Sequence, residues 1–107
     1  MPHYLVQASY TSETLALLSK NPQNRLEIVA GVVQKLGGRV EAGYFSFGDY
    51  DVTMIVELPD NSTAAGMAIG SAGKGHVKAI KTTPLLTGEE ALEAMRVAGG
   101  VDLQLPG

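Results

Sequence analysis

The chain contains no cysteine and no tryptophan. Without cysteine there is no disulfide framework, no thiol nucleophile and no thiolate metal site. That lack fits a cytoplasmic protein. Basic residues are few and scattered: eight Lys and Arg against eleven Asp and Glu give a net charge of −3. Phosphate contact needs a concentrated Lys/Arg surface, so a nucleic-acid partner is not expected. Long apolar runs are also missing. Nothing approaches the roughly 20 residues that span a bilayer, so no membrane partner is expected. Met1-Pro2-His3-Tyr4-Leu5-Val6 lacks the basic segment and apolar stretch of a signal peptide. Only six residues are aromatic, and four of them fall in one run, Tyr44-Phe45-Ser46-Phe47-Gly48-Asp49-Tyr50-Asp51.

What is present reads as one folded domain of 107 residues, 45% hydrophobic and 18% charged. It is large enough to bury a core without covalent or metal support. His3 to Tyr10 alternates with period two, which predicts a strand. Thr11-Ser12-Glu13-Thr14 gives turn and cap chemistry, and Leu15 to Leu18 predicts one or two helical turns. Asn21-Pro22 predicts a helix start, since Asn accepts from a free N–H and Pro suits the first helical position. Leu26, Val29, Ala30, Val33 and Leu36 then recur at helical spacing, and Gly37-Gly38 closes the helix.

Val40 to Phe47 and Val52 to Leu58 predict an antiparallel hairpin around Gly48-Asp49-Tyr50-Asp51. Pro59-Asp60-Asn61-Ser62 opens a helix with Ala64, Ala65, Ala68, Ile69 and Ala72 on its apolar side. Gly66 and Gly70 weaken that helix and are expected to let it approach the sheet closely. His76 to Thr83 predicts a fourth strand, stopped by Pro84. Thr87-Gly88-Glu89-Glu90 has capping-box spacing and opens a last helix carrying Ala91, Leu92, Met95 and Ala98.

The fold class is therefore α+β: a ferredoxin-like βαββαβ arrangement with a four-stranded antiparallel sheet, helices on one face and an extra C-terminal helix. Residues 1–98 form the domain and 99–107 a tail. In that tail the alternating Val101 to Leu105 lies on a partner surface or is disordered.

Alternation assigns Tyr4, Val6, Ala8, Val40, Ala42, Tyr44, Val52, Met54, Val56 and Leu58 to the helix side. The other side then holds Leu5, Gln7, Ser9, Glu41, Phe45, Phe47, Thr53, Ile55, Glu57, Lys78, Ile80 and Thr82. Five of those twelve, Leu5, Phe45, Phe47, Ile55 and Ile80, are apolar, an interface-sized patch if left in water. A homodimer packed sheet to sheet, or a higher homo-oligomer, resolves it.

Several motifs resemble the GYD domain family. They are Tyr44 to Val52, Tyr4-Leu5-Val6 with Ser9-Tyr10-Thr11, Leu36-Gly37-Gly38 with Val40-Glu41, Val56 to Asp60, and Thr82-Thr83. The resemblance spans roughly residues 3 to 98. It implies similarity to the dimeric α+β barrel group, in which two ferredoxin-like sheets face each other. That group holds small-molecule monooxygenases, isomerases and proteins of no known activity. The GYD family has no established reaction, so no catalytic residue carries over.

The residues themselves offer Asp49, Tyr50 and Asp51 as catalytic candidates. Paired carboxylates can share acid and base roles, but Asp and Gly are also the usual hairpin residues, and that structural reading leads. Gln7, Ser9, Phe45, Phe47 and Glu57 are candidate small-molecule contacts between two sheets. Glu57 and Lys78 share a predicted face and would form an ion pair or a ligand clamp. No cofactor is implied, and no metal: His3 and His76 lack metal-ligand spacing with a carboxylate. Gly70 to Gly75 resembles a phosphate loop but follows a helix rather than a strand, and Lys74 precedes Gly75 rather than Ser or Thr.

These readings leave three functions open. One is an oligomeric small-molecule binder or cofactor-free isomerase- or monooxygenase-like enzyme. Another is a structural or regulatory oligomerisation module. The last is an adaptor that binds a partner protein through the tail.

Overall fold

The computed structural model describes residues 1–102. Strand β1 (His3–Tyr10) is followed by helices α1 (Ser12–Lys20) and α2 (Arg25–Lys35), then by strands β2 (Arg39–Phe45) and β3 (Val52–Glu57). Helix α3 (Asn61–Gly73), strand β4 (Val77–Leu85) and helix α4 (Gly88–Gly99) complete the order. The four strands form one antiparallel sheet in the order β2-β3-β1-β4. This is the ferredoxin-like α+β arrangement, with an additional helix at each of two places, after β1 and after β4.

The core lies on one side of the sheet. Tyr4 and Val6 from β1 and Val52, Met54 and Val56 from β3 meet Val33 of α2 and Ala64 of α3, with Leu58 just beyond β3. Every second residue of the two central strands is buried there, as the period-two pattern predicts. The Tyr4 hydroxyl leaves this core through a 2.6 Å bond to Asn61 Oδ1, at the start of α3.

Helix starts follow local cap chemistry. Thr11, Asn24, Asp60 and Thr87 each place a side-chain oxygen on a free N–H of the first turn. The expected start at Asn21-Pro22 is displaced: α1 is longer than two turns and ends at Asn21, and Asn24 caps α2 by accepting from Leu26 N–H at 3.1 Å. Helix α2 ends as predicted. Gly37 takes φ of 84°, and the N–H groups of Gly37 and Gly38 return to the carbonyls of Gln34 and Val33, both at 3.0 Å. Gly38 also lies against β3, where a Cβ would sit 2.0 Å from the Glu57 carbonyl oxygen.

The edge strands depart from simple alternation. In β2 the register with β3 shifts between Val40 and Ala42. A one-residue bulge exchanges the two faces beyond it. Tyr44 therefore pairs with Thr53 on the open face, and Phe45 pairs with Val52 on the helix side, the reverse of the expectation. A Cβ at Gly43 would make ordinary contact with Leu26 and Met54 on that side, 3.5 and 3.6 Å away. Phe47 lies beyond the end of β2 and is fully exposed.

In β4 the register shifts beside Lys78, so Ile80 and Thr82 lie on the helix side opposite Ala8 and Val6. Ile80 packs against the core. The open face receives Ala79, Lys81, Thr83 and Leu85 instead. Pro84 stands inside β4 rather than stopping it, which an edge strand tolerates because one side of its backbone has no partner.

Helix α3 is rotated from the expected face. It buries Ala64 and turns Met67 and Ser71 inward, while Ile69 is 73% exposed. Gly66 and Gly70 do not serve close approach, since a Cβ at either would meet nothing within 4 Å. Leu103 to Leu105 of the tail lie outside the described residues.

Candidate functional site

The aromatic and acidic corner is held by backbone bonds. Asp51 Oδ2 accepts from the Tyr10 N–H at 2.8 Å, and the Asp51 N–H donates to the Ala8 carbonyl at 2.8 Å. The Asp51 carbonyl accepts from Ser46 N–H, and the Ser46 hydroxyl donates to the Tyr50 carbonyl at 2.7 Å. Asp51 thus ties the end of β1 to the β2–β3 connection. Asp49 is exposed on the loop, Tyr50 is partly buried, and no bond joins the two carboxylates.

The five candidate ligand residues do not converge. Gln7 and Ser9 are neighbours on the open face of β1. Glu57 is on that face at the opposite end, paired with His3. Phe45 is on the helix side and Phe47 is off the sheet. Lys78 lies beside Tyr10, at the far end of β1 from Glu57, so the expected clamp between Glu57 and Lys78 does not form.

Glu57 has other partners. His3 stands between two carboxylates, with Nδ1 3.1 Å from Glu41 Oε2 and Nε2 3.5 Å from Glu57 Oε1, and Arg39 Nε pairs with the other oxygen of Glu57. A cleft beside this cluster is lined by Met1, His3, Glu57, Thr87 and Glu90. Glu90 is held below the usual carboxylate range, first by the backbone N–H of Thr87 in the capping box, with His3 and the N-terminus adding positive charge. Among the described residues, no three His, Asp or Glu side chains are placed so that they could hold a metal ion together. Sequence reasoning placed Glu57 on this face but missed its partners. The signal was the shared parity of His3 and Glu57 on antiparallel strands.

Two apolar features complete the surface. Helix α4 has no buried residue: Leu92 is 49% exposed and Met95 66%. The molecule measures 57 × 34 × 22 Å, with a radius of gyration of 17.1 Å where a compact chain of this length has about 13 Å. On the helix side, a cavity of about 120 Å³ lies between the sheet and helices α2 and α3.

The GYD domain model matches residues 4–95. The chain belongs to the GYD domain family. A relative from Thermus thermophilus is described as "Glutamine synthetase and cystathionine beta-lyase binding protein". It is 33% identical over 78 residues, which cover 73% of this chain and 82% of the relative. No solved structure matches. In this GYD domain the run Tyr44 to Asp51 is the corner at which Asp51 joins β1 to the hairpin. Among the described residues, no helix is long and apolar enough to cross a membrane.

Proposed function

We propose that this GYD domain is a non-catalytic protein-binding module that works as a homodimer and docks on an enzyme through α4. The observation that carries this reading is the unburied apolar side of α4. An amphipathic helix of three turns gains little stability alone and draws it from packing against a partner. The Thermus relative supports an enzyme as that partner, and glutamine synthetase and cystathionine beta-lyase are the two to test. Asp51, one of whose carboxylate oxygens ties down the Tyr10 N–H, has a structural role that favours binding over catalysis.

The open sheet face supports self-association. Leu5 and Ile55 form its middle, with Glu41 and Glu57 at one end and Lys81 towards the other. A two-fold axis between two such faces, running across the strands, sets Glu41 and Glu57 of one copy towards Lys81 of the other.

Light scattering and binding to the two purified enzymes from the same organism test both parts. The intact chain is expected as a dimer that binds at least one enzyme. Ile55→Lys yields a monomer. Leu92→Glu with Met95→Glu keeps the dimer and weakens enzyme binding about 100-fold. A monomeric intact chain ends the self-association reading, and a double variant that binds normally ends the α4 reading.

A further inference from the structure

Helices α2 and α3 lie on the same side of the sheet without closing on each other. The faces they turn together leave a groove of about 520 Å³, with Val32 and Leu36 on one bank and Gly66 and Gly70 on the other. The glycines keep this bank empty, since a Cβ at either position would touch nothing. Val32, Met67 and Ser71 line both the groove and the 120 Å³ cavity beneath it, so the cavity opens through the groove. Its floor is Val6, Val52, Met54 and Ile80. An apolar cavity of about 150 Å³ stays dry and takes a benzene-sized body, so this space fits one small ring or a branched aliphatic group.

A separate observation gives the ligand a polar end. Tyr10 lines the cavity, and Arg25, the first residue of α2, lies over its ring with Cζ 5.7 Å from the centroid. Arg25 Nε is buried and has no hydrogen-bond partner. A buried guanidinium N–H without an acceptor is costly, and a ligand oxygen removes that cost. Val29, one turn along α2 from Arg25, is part of the cavity wall. The Asp51 carboxylate accepts from the Tyr10 N–H through Oδ2 and makes no bond to Arg25.

We propose that the space between α2, α3 and the sheet is a binding site for a small amphipathic molecule. Its apolar body sits against Val29, Val32 and Met67, and its acceptor oxygen, carboxylate or carbonyl, meets Arg25 at the Tyr10 end. This site is on the opposite side of the sheet from the proposed dimer face and does not depend on it.

Titration of the isotopically labelled full chain with benzoate and with neutral benzamide, followed by NMR, tests it. At least one probe is expected to give saturable shifts at Val29, Val32, Met67 and Ser71, with a dissociation constant of about 1 mM or tighter. Tighter benzoate identifies a carboxylate head, and tighter benzamide a carbonyl. Arg25→Met weakens the better probe about tenfold. Ser71→Leu fills the cavity from a partly exposed helix position, so the fold is kept and both probes are lost. The proposal is overturned if neither probe saturates, if the shifts map to the open sheet face, or if folded Ser71→Leu protein binds as before.

Discussion

The two central strands and the two edge strands obey different rules. In β1 and β3 each residue keeps the face that alternation assigns to it, from Tyr4 to Ala8 and from Val52 to Val56. In β2 and β4 a register shift moves residues to the other face partway along. A central strand is bonded on both sides and buries large side chains along one face, so a slip of one residue in β3 would expose Val52, Met54 and Val56 together. An edge strand is bonded on one side only. It can absorb an extra residue at small cost, and the resulting twist also blunts an edge that would otherwise recruit other strands. Alternation is thus a rule enforced by burial, and it weakens where burial does.

The sharpest way to break that contrast is at Gly38, where the first edge strand is joined to its central neighbour. A Cβ there would lie 2.0 Å from the Glu57 carbonyl oxygen and 3.0 Å from Leu58 Cδ2. The first of these atoms is backbone of a central strand and cannot move without disturbing the pairing of β3 with β1. Gly38→Ala is expected to lower the unfolding free energy by about 4 kcal/mol, among the largest single-residue effects. Urea denaturation measures it. A loss under about 1 kcal/mol would mean that β2 shifts freely against β3.

Met54 and Phe45 sharpen the contrast on one side of one hairpin. Both belong to the helix side, yet Met54 is 4% exposed in the central strand and Phe45 is 50% exposed at the edge. Met54→Ala should cost about 3 kcal/mol, since it removes three heavy atoms from the packed core and enlarges the neighbouring cavity. Phe45→Ala should cost about 1 kcal/mol, because half its surface is already in water. Equal losses in thermal or urea unfolding would show that the edge strand is buried in solution, as it would be if a partner covered it.

The same contrast explains how much of the molecule was legible. Hydrophobic period gave β1, β3 and the inward face of α2, because their patterns record burial. The capping box at Thr87 and Glu90 and the Gly37-Gly38 ending were legible because each depends on chemistry within one turn. The two bulges were not, since a register shift is a property of two paired strands and leaves no mark in the alternation of one. The candidate site suffered for that reason. Phe45 was assigned to a face it does not occupy, and Glu57 was paired with a lysine at the wrong end of β1. The cluster of His3, Glu41, Glu57 and Arg39 needs strand order and register together, and no local pattern contains those. Neither does any pattern reveal the unfilled space between α2 and α3, which depends on the rotation of α3 about its axis.

Asp51 offers the gentlest test, because it links the two kinds of strand through a side chain rather than through the ladder. Its carboxylate holds the N–H of Tyr10, the last residue of β1, while its own N–H and carbonyl hold Ala8 and Ser46. The backbone bonds survive any substitution but proline. Asp51→Ala removes just the side-chain acceptor and leaves a partly buried N–H for water to reach, so a loss of about 1 kcal/mol is expected in urea denaturation. Asp51→Asn keeps an oxygen in the same place and should recover most of it. If the corner were a site of proton transfer rather than a joint, the two variants would be equally inactive in any reaction found for the chain while differing in stability. A corner that serves as a joint ranks them by stability alone, with Asn above Ala, and leaves binding of the partner enzyme untouched in both.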